Sequence, residues 1–287
     1  MKTIPRSAKG SAALSLILLL CLAAAGFLSL KGTLDKIPRK KIPGASVIYI
    51  PSGKYLKYVT FGYPSLVADL VFIWAIQYYS TYTIVDRFAY LEHIFSIIAE
   101  LDPRYQDPYE IGALIAFSEA KDPKLAYKIM DLALEKNPDQ WVFPFEAGHY
   151  AQMVRDYETA RNYYQKAIKI PGSPDIVKRL YAAVGFKAMD LQTSWETWLE
   201  IYNTSTDPRT KKIASKHLYQ VKSTSDIIVL REAIRRFRDQ YGHNPEDLAE
   251  LVPMGYLASL PQDLDGKDYI YDSKTGEVKA PTIWWKR

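Results

Sequence analysis

Four histidines, His93, His149, His217 and His243, and one cysteine, Cys21, are the side chains of this 287-residue chain best suited to hold a metal or attack a substrate. A metal site needs several such ligands to converge, and ligand pairs a few residues apart are its usual sequence mark. Here each histidine stands alone, and Cys21 has no second cysteine to join it. Surface or packing roles are expected for all four histidines. Asp69 is the one acid within an apolar stretch, where a local cap or ion pair is the expected role, and Glu119 with Asp122 reads as a solvated helix end. No Gly-rich loop joins a strand to a helix, and no Gly-x-Ser-x-Gly elbow occurs. No catalytic residue, no metal and no cofactor is assigned, and a binding protein rather than an enzyme is the expectation.

The composition narrows the partners. A net charge of +5 is spread over 37 basic and 32 acidic residues, which leaves no basic stripe of the kind that tracks phosphates, so nucleic acid is excluded as the expected partner. With 48% hydrophobic residues the chain is globular rather than disordered. Its 22 tyrosines and six tryptophans are large, rigid side chains that fill helix interfaces first and serve recognition second.

The elements that must position a binding surface start with the N-terminus. Residues 1–10 carry Lys2, Arg6 and Lys9, and residues 11–30 carry no charge. Twenty residues at about 1.5 Å each cross a hydrocarbon core of about 30 Å. Ala23-Ala24-Ala25 offers a cleavage site, but the apolar run continues to Leu30, so an uncleaved anchor is expected rather than a signal sequence. Leu18-Leu19-Leu20 ahead of Cys21 argues against lipidation there. Lys31, Lys36, Arg39, Lys40 and Lys41 follow the anchor and favour a cytoplasmic body. The short N-terminal tail, the order basic then apolar then small, and the Cys-free remainder favour a bacterial periplasmic body, which is the reading adopted.

Residues 31–63 read as a tether with one short extended piece from Ser46 to Ile50, between Pro-containing breaks. Leu66 to Tyr79 is too short for a second span, opens on Pro64 and contains Asp69, so a buried helix is expected. Within residues 64–222 the chain repeats. Ala126, Met130, Ala133 and Pro138 recur 34 residues on as Ala160, Tyr164, Ala167 and Gly172, and 34 further as Ser194, Trp198 and Ile201, closed by Pro208. A small residue, a large one four on and a small or medium one three further form a stripe on one helix face. Small residues admit the neighbouring helix, the large one fills the gap, and the closing Pro stops the helix.

This pattern resembles the tetratricopeptide repeat, with units near 107–140, 141–174 and 175–208 and a degenerate earlier unit through Trp74, Leu91, Phe95, Ile98 and Pro103. The middle unit matches best, with Gly148 at the small position of its first helix, Asp156-Tyr157 in its turn, and Pro144 in place of the early Trp. Leu114 holds the small position in the first unit. The resemblance implies a helical solenoid whose first helices line a groove for a peptide segment. Carried over, that register puts Ile111, Ile115, Phe145, His149, Gln152, Arg179 and Phe186 on the groove, a mainly apolar mixture suited to an apolar or aromatic ligand segment. The fold class expected is mainly all-α, a solenoid with one transmembrane helix and a small C-terminal α+β appendage.

Residues 223–287 form that appendage. An amphipathic helix is expected from Ser225 to Tyr241, ended by Gly242, and a small hairpin is expected around Tyr269, Tyr271 and Gly276. The run from Tyr241 to Gly276 resembles the C-terminal part of type II secretion major pseudopilins. It departs in two places. Gly26-Phe27 lies late in the apolar run with Lys31 where that family has Glu, so no pilin polymerisation is expected. Asp263-Leu264-Asp265-Gly266 replaces the family's calcium-site sequence, and a turn of Asp and Gly needs no metal. Together the two resemblances imply a membrane-anchored adaptor in an envelope machine such as a secretion or pilus system, or else a cytoplasmic-facing assembly factor with the same repeats.

Overall fold

The structure, a computed structural model, describes residues 7–34, 50–84 and 86–286, with the side chains of 16–33 in the first stretch. The side chains of Lys2, Arg6 and Lys9, the basic residues Lys36 to Lys41 and the extended piece before Ile50 lie outside the described residues. The chain is mainly helical, with 11 helices among the described residues. α1, Ser7–Leu34, contains in Leu16–Thr33 the one described stretch long and apolar enough to cross a membrane.

Two helices occupy the next region differently from the sequence expectation. α2, Gly53–Val59, lies within the expected tether and packs on α4, Leu91–Leu101. Gly53 permits this contact, since a Cβ there would sit 2.7 Å from the Ile97 carbonyl oxygen, and the Lys54 amide donates to the Glu100 carboxylate. His93 Nε2 bonds the Ile50 carbonyl at 2.9 Å and so ties the start of this segment to α4. α3, Pro64–Tyr79, also packs on α4 and buries Ala68, Ala75, Tyr78 and Tyr79. It is not a buried helix throughout: Leu66, Leu70 and Ile73 are each more than half exposed.

From α4 onward each helix packs on its neighbours in sequence: α5 (Gln106–Ser118), α6 (Pro123–Lys136), α7 (Val142–Met153), α8 (Tyr157–Ile168), α9 (Asp175–Lys187) and α10 (Leu191–Thr204). Three of the turns share one construction at 34-residue intervals. Lys121, Arg155 and Met189 take φ of 56°, 63° and 62°, left-handed backbone that L residues seldom adopt. Each precedes an aspartate, Asp122, Asp156 or Asp190, whose carboxylate accepts the backbone N–H three residues on. An N-cap of this kind satisfies a donor that the helix itself cannot.

Packing follows the small–large stripe. Ala126, Met130, Ala133, Ala160, Tyr164, Ala167 and Trp198 are all buried to 2% exposure or less. A Cβ on Gly148 would lie 2.8 Å from the Tyr164 ring, and one on Gly112 2.8 Å from the Phe95 ring. The earlier set Leu91, Phe95 and Ile98 is buried as well, and precedes Ala126, Met130 and Ala133 by 35 residues rather than 34.

The last helix, α11, runs unbroken over Pro208–Tyr241, so the helix expected from Ser225 begins seventeen residues earlier and residue 222 lies inside it. Asp207 caps its start, accepting the Arg209 and Thr210 amides, and Gly242 at φ 78° ends it. The first half packs Ala214, Leu218 and Val221 on Trp198 and Ile201 of α10. The second half packs Leu230, Ile234 and Phe237 with Leu248, Leu251, Tyr269 and Val278. The last two flank or belong to an antiparallel hairpin of β1, Ile270–Asp272, and β2, Glu277–Lys279, with Tyr271 opposite Val278. His217, sandwiched between Trp198 at 4.3 Å and Trp284 at 5.2 Å, joins the C-terminal turn to α10. Burial pushes its pKa down despite the Gln220 hydrogen bond.

Two glycines distinguish packing from propensity. In a helix interior Gly→Ala ordinarily stabilises by about 0.5–1 kcal/mol. Gly185→Ala should do so, because the nearest atoms to its Cβ lie at an ordinary 3.7 Å. Gly148→Ala should instead lower the melting temperature by forcing the Tyr164 ring aside. A rise in both variants would contradict the close approach of α7 and α8.

Candidate interaction groove

α5, α7 and α9 are the first helices of three successive pairs, and α5 touches α7 directly, so the adjoining edges of those two make one surface. Phe145 on α7 is half-buried, with ring contacts to Trp141 at 5.7 Å, Tyr164 at 6.1 Å and the exposed His149 at 6.4 Å. Gln152, half-buried, accepts the Tyr164 hydroxyl at 2.9 Å. On α9, Arg179 is half-buried with its Nε unpartnered, and Phe186 packs partly buried against the core that contains Ala182 and Trp198. Ile111 is half-buried on α5.

Ile115 is placed elsewhere, and the cause is local. It is 7% exposed, in the core, whereas its neighbour Leu114 is 46% exposed. The Asp156 amide reaches back to the Ala151 carbonyl and the Asp190 amide to Gly185, five residues in each case, but the Asp122 amide reaches back six, to Ala116. The α5–α6 turn therefore holds one extra residue, and α5 is offset by one from the 34-residue register. In the corrected register Leu114, not Ile115, corresponds to His149, Glu110 corresponds to Phe145, and Ala113, fully buried, takes the small position beside Gly148. The 35-residue interval from Asp102-Pro103 to Asn137-Pro138 is the sequence signal that carries this offset.

The same correction brings forward two carboxylates that the sequence reading omitted. Glu110 on α5 and Glu146 on α7 are both half-buried. Burial raises the Glu146 carboxyl above its ordinary range, opposed by the nearby His149. Burial also raises Glu110, and the charges of Glu146 and Asp107 raise it further. The surface thus combines exposed Leu114, the Phe145–His149 stack and two carboxylates held at a cost in their charged form.

Among the described residues no group of three or more His, Cys, Asp or Glu side chains is placed to hold a metal ion. His243 bonds the Asn244 carbonyl and stands edge-on to Phe237. Asp263 is occupied by its own turn, one oxygen accepting the Asp265 and Lys267 amides and the other the Tyr219 hydroxyl at 2.8 Å. Burial works against the charged form of Asp263, yet these hydrogen bonds hold its carboxyl below the usual range. No protein-family model matches the chain, and no curated protein matches it in sequence.

The two raised carboxyls fix a sign. Each binds its proton more tightly folded than unfolded, so its contribution is fully present below about pH 4.5 and is lost as pH rises through the folded value. The double variant Glu110→Gln/Glu146→Gln should melt higher than the natural protein at pH 7, with the gap closing as pH falls towards 4. A gap that is absent at pH 7, or that widens on acidification, would show that these carboxylates are solvated.

Proposed function

We propose that this chain is a membrane-anchored scaffold of tetratricopeptide type, with a pseudopilin-like C-terminal module, that binds segments of other proteins in a bacterial envelope machine such as a secretion or pilus system. The observation that carries the reading is the recurrence, every 34 residues, of a left-handed residue followed by a capping aspartate between paired helices. Repeats of that length stack so that each contacts its neighbours, and the first helices present a continuous binding surface. The long helix α11 followed by Gly242 and a hairpin supports the pseudopilin resemblance.

The ligand segment this groove suits carries apolar anchors for Leu114 and Phe145 and a basic residue for Glu110 and Glu146. A cation placed between two half-buried carboxylates relieves their repulsion, and a few buried anchors supply most of the affinity. Binding, not catalysis, is the role proposed. Of the two membrane sides, the periplasmic one is adopted from the N-terminal order of basic, apolar and small residues. The cytoplasmic alternative rests on the excess of Lys and Arg after α1.

Removing Phe145 and Phe186 would confuse binding with packing, since both contact the core. The exposed pair is cleaner: Leu114→Gln/His149→Gln, which adds no charge beside Glu110 and Glu146, should abolish capture of partner proteins from solubilised membranes while stability changes by no more than about 0.5 kcal/mol, as expected for surface positions. Unchanged capture with an intact fold would place recognition outside this groove.

Topology is tested separately. A reporter active only outside the cytoplasm, fused after Arg287, should be active. An inactive one, paired with an active cytoplasmic reporter at the same position, would reverse the orientation and favour the assembly-factor alternative.

A further inference from the structure

We propose that α2, the turn after it and the outward face of α3 lie against the surface of the same bilayer that α1 spans, giving the body a second, in-plane membrane contact. The residues after Gly53 expose large apolar side chains in one continuous stretch, whereas elsewhere in the body these occur singly or in twos. Tyr58 is 83% exposed, Phe61 91% and Tyr63 68%, and Leu66, Leu70 and Ile73 form an exposed stripe at i, i+4 and i+7 on α3. Both helices turn their other faces to α4, α2 through Gly53 and α3 through Ala68, Ala75, Tyr78 and Tyr79. The stripe is thus the side left over, and no described residue covers it.

Backbone geometry points the same way. Phe61 takes φ 51°, a left-handed conformation unfavourable for an aromatic residue, followed by Gly62 at φ 88°. Unlike Lys121, Arg155 and Met189, which precede a helix cap, Phe61 holds an exposed aromatic ring in this conformation, a feature that a contact on its outer side would explain.

The occupant follows from chemistry and chain length. Tyrosine at an apolar boundary, beside lysines that can reach outward, is the residue pattern of a membrane–water interface, and Lys54 and Lys57 are exposed among Tyr55, Tyr58 and Tyr63. The fifteen residues from 35 to 49 join α1 to this segment and reach at most about 54 Å, which limits how far α2 can stand from the membrane. They add Lys36, Arg39, Lys40 and Lys41, complementary to anionic lipid. α3 does not cross the bilayer, since its 16 residues measure about 24 Å against a core of about 30 Å. Asp69, exposed beside the stripe, fits the headgroup level and not the hydrocarbon.

Depth-resolved quenching tests this on the full-length protein, reconstituted sparsely into vesicles of phosphatidylcholine and phosphatidylglycerol at about three to one. The native Cys21, labelled with a fluorophore, reports whether α1 is inserted. In a Cys21→Ala background the same fluorophore is placed by Phe61→Cys, Leu70→Cys or, as an exposed control beyond α8, Lys169→Cys, with helicity checked by circular dichroism. Positions 61 and 70 should be quenched by lipids spin-labelled at the headgroup more than by lipids labelled deep in the chain, Cys21 should show the reverse order, and position 169 should respond to neither. Quenching of positions 61 and 70 by aqueous iodide alone would overturn the proposal and leave the face free for another protein. Shielding from both lipid and iodide would overturn it in favour of a second copy of the chain, and deeper quenching at 70 than at Cys21 would overturn the surface placement.

Discussion

The hydrogen bond from a backbone amide to an aspartate three residues earlier, at Asp122, Asp156 and Asp190, is the contact on which the helix pairing depends. Each follows a residue held in left-handed backbone, and together the two features reverse the chain within a few residues and start the next helix at a fixed rotation. Rotation decides which face of that helix meets its partner, and so whether Ala160 and Tyr164 or their neighbours are buried. At Asp190 the carboxylate also pairs with Arg161 of α8. Burial opposes its charge, but the Thr193 hydrogen bonds and Arg161 outweigh this and hold its carboxyl below the usual range. That cap therefore weakens as acid protonates it.

Given the turns, the close helix approaches need little more than size complementarity. Gly148 lies against the Tyr164 ring and Gly112 against the Phe95 ring, so an aromatic side chain from one helix occupies the space that a missing Cβ leaves on the other. Among the described residues eight of the 22 tyrosines are buried, and local acceptors take up some of their hydroxyls, as Asp131 does for Tyr163 and Gln152 for Tyr164. Burial pushes the Tyr150 phenol up to about 12, so it is neutral at physiological pH.

The repeat was legible because its packing residues sit within helices, where spacing translates directly into a face. What escaped was set between helices or by tertiary contact. One additional residue in the α5–α6 turn leaves the stripe Ala126, Met130, Ala133 untouched but rotates the assignment of α5, exchanging Ile115 for Leu114 and hiding Glu110. α2 falls within the expected tether because Pro51-Ser52-Gly53 is breaker chemistry; its seven residues are helical here with Gly53 set against the Ile97 carbonyl. α3 is apolar on nearly every face, so its sequence carries no period to separate the side meeting α4 from the side left open.

Continuity of α11 bears on how any two contacts of this protein would be coordinated. At 34 residues it is about 51 Å long. Its first half completes the packing begun by α10, and its second half carries the hairpin. Between them, Tyr219 donates to Asp263, Lys222 pairs with Asp226, and Asp226 also accepts the Tyr269 hydroxyl at 2.6 Å. This polar belt makes the residues around 222 resemble a boundary in sequence, since hydrophobic periodicity lapses there. Physically it is a joint closed by hydrogen bonds, with the helix backbone running through it. Under the proposed scaffold role, a segment bound on α5 and α7 and another bound at the hairpin would be held at a set separation and not at the ends of a loose chain.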